Sequence, residues 1–211
     1  MIEISKQIIE NHSLYYRDFP WRHTKDPYKI MIAEFMLRRT KAEQVVPVYI
    51  KFLIEYPNLK SLALADTENI SRVTKHLGLH WRATDFINAC RFIETEYNTT
   101  FPDNRKNLLK IPGIGEYIAG AILTVCFNKP EYVVDSNIAR FINRFYDLNL
   151  KGEIRRKKLI IEKAKEFFDC KSPDKLLFSI LDFTALICKP RIPICPLCCF
   201  KGGCQYRNKT R

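Results

Sequence analysis

The chain has 211 residues, which suits one large domain or two small interlocked ones, and its hydrophobic share of 46% is enough for a real core and argues against disorder. The 35 Lys and Arg against 23 Asp and Glu give a formal charge of +12. A well-solvated basic surface is one reading of that excess; a polyanion that binds with counterion release is the other. No apolar run reaches membrane-spanning length, and Met1-Ile2-Glu3-Ile4-Ser5-Lys6 lacks signal-peptide architecture, so the expectation is an intracellular protein away from membranes.

Apolar residues recur at helical spacing over Ile2–Tyr16, Tyr28–Arg38, Ala42–Tyr56, Trp81–Tyr97, Tyr117–Cys126, Ile138–Tyr146, Ile154–Phe168 and Asp174–Ile187. Few stretches alternate as strands do. Phe19-Pro20, Asp26-Pro27, Pro112-Gly113, Lys129-Pro130 and Ser172-Pro173 punctuate the helices. The pattern predicts an all-α fold with short connections.

Taken in order, the first stretch with chemical content is Asp26–Thr40. Glu34 interrupts a nearly continuous apolar run, where desolvation would raise its pKa and let it hold or donate a proton. Its plainer role is an i, i+4 pair with Arg38. Next, Leu108–Ala121 reads as helix, tight turn, helix. Gly113 and Gly115 permit positive φ and leave backbone N–H groups bare, and the second helix opens with its N-terminus outward, a natural phosphate seat. About twenty residues later comes Tyr132-Val133-Val134-Asp135-Ser136-Asn137-Ile138-Ala139-Arg140, where Asp135 is placed to cap a helix.

Eight cysteines in a reducing compartment do not read as a disulfide framework. Cys90, Cys126 and Cys170 sit in apolar or helical context as ordinary buried thiols. The other five crowd the segment 188–204. Cys188, Cys195, Cys198 and Cys204 are spaced C-x6-C-x2-C-x5-C, among prolines and glycines that let the segment curl. Four thiolates suit tetrahedral zinc or a [4Fe–4S] cubane; zinc sites usually show two C-x2-C knuckles, and here Cys195 and Cys198 form only one, which favours the cubane. Cys199 is read as a bystander, because adjacent cysteines rarely both reach one cluster.

The cysteine spacing, the Leu-x-x-Pro-Gly-Ile-Gly hairpin and the Val-Asp-x-Asn-x-x-Arg context resemble the helix-hairpin-helix DNA glycosylases that carry an iron–sulfur cluster, the endonuclease III and MutY group. The resemblance covers nearly the whole chain. It implies two helical lobes: a six-helix barrel with the hairpin over residues 25–130, and a discontinuous cluster domain from 1–24 and 131–211, with double-stranded DNA in the cleft. It implies that Asp135 is the catalytic carboxylate, that Gly113 and Gly115 belong to a backbone-gripping hairpin, and that Lys189 and Arg191 touch phosphates. Bifunctional members have a lysine where this chain has Tyr117, so water rather than an amine is the implied nucleophile.

Arg17–Arg22 and the Glu34 helix look like the MutY branch, whose glutamate acts on the flipped base. The adenine glycosylases show Met-Leu-Gln-Gln-Thr, whereas this chain has Met36-Leu37-Arg38-Arg39-Thr40. That motif, with Tyr117 and Phe19-Pro20-Trp21-Arg22-His23-Thr24, is similar to the Mig-type thymine glycosylases, which remove thymine or uracil mispaired with guanine. Arg38 would then enter the space left by the flipped nucleotide, with Arg39 beside it, and donate to guanine. Leu79 and His80 would wedge the stack, unless Leu79 is core. With seven residues after Cys204, no further C-terminal domain of the MutY kind is expected. The expectation is a monomeric, cytoplasmic, nucleoid-associated base-excision enzyme, with an adenine glycosylase as the alternative.

Overall fold

The computed structural model describes residues 2–78 and 83–209, and among these every regular element is helical. Contacts divide the chain into two compact units: residues 18–127, and residues 1–17 together with 128–211.

The continuous unit opens with a 3-10 turn, Pro20–His23, and then α2 (Pro27–Met36), α3 (Ala42–Glu55), α4 (Leu59–Ala63), α5 (Thr67–Thr74), α6 (Ala83–Tyr97), α7 (Arg105–Leu108) and α8 (Glu116–Phe127). Asp26 starts α2 by accepting the Tyr28 N–H at 2.9 Å, and Pro27 sits at the first helical position with its φ already set. Apolar on nearly every side, α2 is a central helix, packed on α3 and α8. Phe35, Phe52 and Phe86 form its aromatic contact, with ring centroids 5.3 and 5.4 Å apart. The helix expected to run to Arg38 stops at Met36, since Arg39 turns to φ +62°. Residues Ile118–Val125 of α8 are all buried, and Asn128 at φ +51° ends that helix as a left-handed cap. The helices α4 and α5, absent from the periodicity reading, begin at local caps. Asn58 and Ser61 bond reciprocally, and Asp66 accepts the Glu68 N–H.

The discontinuous unit holds α1 (Ile2–Glu10), α9 (Ser136–Phe145), α10 (Lys158–Phe168), α11 (Pro173–Leu186) and α12 (Gln205–Lys209), with 3-10 turns at His12–Leu14, Ile154–Arg156 and Cys195–Leu197. The N-terminal helix ends at Glu10 rather than continuing to Tyr16. A tertiary bond accounts for the break: the fully buried Asp182 on α11 accepts His12 Nε2 at 2.9 Å, the Arg17 N–H at 3.1 Å and Arg17 Nε at 2.6 Å. This network ties the N-terminal segment to α11. The helix expected over Ile154–Phe168 is interrupted as well. Lys157 is extended (φ −71°, ψ 133°), and its carbonyl accepts the first bonds of α10. Phe141, Phe183 and Phe200 pack ring to ring with centroids 5.5–5.6 Å apart and line the floor beneath the cysteine segment.

Candidate active site

The hairpin turns where the sequence placed it. Asn104 caps α7, and the Ile114 N–H closes the turn on the Ile111 carbonyl at 3.0 Å. Gly113 has φ +81°, and a Cβ there would lie 3.0 Å from Phe35 Cζ, so backbone and packing both demand glycine. Gly115 differs from expectation: its φ is not positive and a Cβ would meet nothing within 4 Å. It lies exposed at the start of α8, where the first-turn N–H groups have no intrahelical partner. Tyr117, in that first turn, is half-buried.

Arg38 and Arg39 follow the end of α2. The Arg38 guanidinium lies over the Phe35 ring, 4.7 Å from its centroid, donates to the Gly113 carbonyl and stands 3.8 Å from Asp85. It is thus held against the hairpin turn. Arg39 is exposed. Glu34 is half-buried between the buried Ala33 and Phe35. Leu79 and His80 lie outside the described residues.

In the discontinuous unit, Asp135 is the N-cap of α9. Its Oδ1 accepts the N–H groups of Asn137 at 2.9 Å and Ile138 at 2.7 Å, and its Oδ2 accepts Asn137 Nδ2 at 2.9 Å. Asn137 is itself held, its Oδ1 accepting Arg140 Nη1 at 2.8 Å. Arg140 then donates to the Cys188 carbonyl from Nε at 3.2 Å and Nη2 at 2.8 Å, and to the Thr184 carbonyl at 3.0 Å. A continuous hydrogen-bond chain therefore joins the carboxylate to the first cysteine of the loop. Burial pushes the Asp135 pKa up, opposed by the hydrogen bonds from Ile138 and Asn137 and by the Arg140 charge; the net direction is upward.

Cys188, Cys195, Cys198 and Cys204 line one cavity with Phe141, Phe183 and Phe200, and Cys199 is not part of that lining. Among the described residues, no group of three or more His, Cys, Asp or Glu side chains is close enough to hold a single metal ion. A cubane makes a different demand, because each thiolate binds its own iron at one corner, so donors around a shared cavity suit it. Arg144 braces this segment: Nη1 stands 3.7 Å from Cys188 Sγ and 2.6 Å from the Lys189 carbonyl, and Nη2 is 2.6 Å from the Pro190 carbonyl. Sequence reasoning passed over Arg144; its spacing of four from Arg140, on one face of α9, was the available signal. Lys189 is half-buried and Arg191 is exposed. Burial pushes the Cys90 and Cys126 thiols up to about 12; Cys90 lies in the core and Cys126 is half-buried.

Residues 32–169 match the model of the HhH-GPD superfamily base excision DNA repair proteins. The chain is 34% identical to a thymine/uracil-DNA glycosylase of Methanothermobacter thermautotrophicus, over 92% of this chain and 88% of that one. It is also 34% identical to a thymine-DNA glycosylase of Aeropyrum pernix, over 97% and 94%. Its fold matches the solved structure of a thermostable thymine-DNA glycosylase with a TM-score of 0.92 and 33% identity, over 98% of this chain and 95% of that one. With an all-helical fold, a helix-hairpin-helix turn and a family match over more than half its length, the chain belongs to the HhH-GPD superfamily of base excision DNA repair proteins.

Proposed function

We propose that the protein is a monofunctional DNA glycosylase that hydrolyses the N-glycosidic bond of thymine or uracil paired with guanine in duplex DNA. The observation that carries this reading is the firmly held Asp135 carboxylate, in a chain of which 92% parallels a thymine/uracil-DNA glycosylase. As the bond to the base breaks, positive charge develops at the sugar carbon, and a fixed carboxylate opposes it without reorganising. The hydrogen bonds and the Arg140 charge favour the ionised form and offset part of the burial that raises the Asp135 pKa. The same carboxylate orients the attacking water.

Glu34 supplies or holds a proton at the departing base. Tyr117 offers no amine, so no Schiff base forms and the product is an intact abasic site. Gly113 and Gly115 present the hairpin backbone to phosphates, and Lys189 and Arg191 add charge from the cysteine loop. Arg38, with Arg39, reads the guanine partner, which requires Arg38 to exchange the Gly113 carbonyl for base acceptors. Leu79 and His80 serve as the wedge. Cys188, Cys195, Cys198 and Cys204 hold a [4Fe–4S] cluster, which when bound supplies iron–thiolate cross-links that pin the loop. Residues 25–130 are read as the barrel domain, and 1–24 with 131–211 as the cluster domain. No helix among the described residues is long and apolar enough to cross a membrane, and the proposed setting is a cytoplasmic monomer on nucleoid DNA.

The test uses anaerobically purified protein and labelled duplexes with one G·T, G·U, A·G or A·8-oxoguanine pair, each product treated with and without alkali. Alkali-dependent breakage at T and U supports the proposal. Breakage only at A moves the protein to the adenine branch, and breakage without alkali overturns the monofunctional assignment.

A further inference from the structure

From Leu150 into the first residue of α10 the chain places Lys151, Arg155, Arg156, Lys157 and Lys158, all exposed, with Glu153 as the one acid among residues 151–158. None of these cations contributes to the core. The 3-10 turn Ile154–Arg156 packs on α9 and α10. That packing seats the turn against the helix that Asp135 caps. The arrangement is electrostatically uphill, because the cations crowd the positive end of α10, whose first turn contains no acid and whose cap residue makes no side-chain bond.

Arg155 also shows what it can hold. Its Nε and Nη2 donate to Glu153 Oε1 at 2.8 Å and Oε2 at 2.5 Å, a two-pronged pairing of the kind that guanidinium also makes with phosphate. Lys158 stands 3.8 Å from Glu162 and is 91% exposed, a pairing that leaves it available.

We propose that this basic turn is a binding site for a DNA backbone phosphate beside the excised nucleotide, with Arg155 as the bidentate ligand and Glu153 as the internal carboxylate that the phosphate displaces. Its position along the DNA rests on the reading of Asp135 as the catalytic carboxylate. Arg156, Lys157 and Lys158 extend the contact electrostatically along the same strand.

The test measures binding of the full chain, cluster intact and carrying Asp135→Asn, to a G·T duplex and to the same duplex fully paired, across about 50–200 mM salt. Arg155→Ala is expected to weaken both by roughly 3- to 10-fold and to lower the salt slope by about 0.9. Arg155→Lys should keep the slope and lose part of the affinity. Glu153→Gln should tighten binding more than the charge-matched Glu162→Gln, and only while Arg155 is present. Because Arg155 is exposed, unchanged circular dichroism and iron content will certify the variants. Unchanged affinity and slope in Arg155→Ala, or a Glu153→Gln effect of equal size without Arg155, would overturn the proposal. If the protein with Asp135 intact excises neither T nor U while Arg155 still sets the slope, the phosphate site stands and the excision reading fails.

Discussion

The hairpin with the end of α2, and Asp135 with the cysteine loop, hold their side chains by opposite means. At the hairpin, shape does the positioning: Gly113 fits against the Phe35 ring, and Arg38 lies across that ring to reach the Gly113 carbonyl. Around Asp135, polar bonds do it, through Asn137 and Arg140 to the Cys188 carbonyl. A packed seat fails by steric strain and mainly shows as lost stability. A polar chain fails by misplacing or retuning one group, and shows first as lost rate.

The largest expected effect lies on the polar side. Asp135→Asn should lower the single-turnover excision rate by about 10²–10³-fold or more, since on the proposed mechanism it removes the charge that opposes the developing cation. Asparagine caps helices as well as aspartate, so folding should survive. The pKa shift sharpens this point. The folded carboxyl is raised, so its contribution to stability is full at pH below the unfolded value and is lost as pH rises through the folded value. Relative to wild type, Asp135→Asn should therefore gain in thermal midpoint between acid and neutral pH. A fall over that range would show that the hydrogen bonds, not burial, dominate.

The cysteine pair comes next. If the four cysteines hold the proposed cluster, Cys198→Ser should lose iron and, on the order of several kcal/mol, stability, as metal binding generally couples to folding. Cys199→Ser, one residue on and outside the cavity lining, should keep both. Equal iron loss in the two variants would reassign the ligand set.

Asn137→Ala breaks the chain in its middle at a cost of about 1.5–3 kcal/mol, the range for a hydrogen bond to a charged group. It removes an influence that lowers the Asp135 pKa, so the acid limb of the rate profile should move to higher pH. A lower rate with an unmoved limb would mean that Asn137 only shapes the loop. The smallest effect tests the packed side. Gly113→Ala should cost about 1–3 kcal/mol through positive φ and contact with Phe35, with little change in rate once folded. Gly115→Ala, free of both constraints, should leave the thermal midpoint nearly unchanged.

Much of the fold was legible because helical periodicity is a local signal. The stretches around α2, α3, α8, α9 and α11 all became helices, with ends shifted by a few residues. The short α4 and α5 were overlooked because five to eight residues carry too few repeats, although their caps at Asn58 and Asp66 were readable. The extensions of α1 to Tyr16 and of α10 back to Ile154 were wrong for non-local and local reasons respectively. Asp182, 170 positions from His12, pulls the first chain end off its helix, and an extended Lys157 breaks the second.

By itself, the amino-acid sequence determined the all-helical class, the glycine turn at Gly113, the capping place of Asp135 and the four-cysteine spacing, since each depends on neighbours along the chain. Only the tertiary structure decided that Gly113 faces Phe35, that Arg38 rests on the hairpin, that Gly115 needs no special φ, and that Arg140 and Arg144 bind the cysteine segment. Those facts depend on which helix faces meet and on carbonyls 44–48 positions away; the sequence can place Arg140 and Arg144 on one helix face but cannot name the carbonyls they reach.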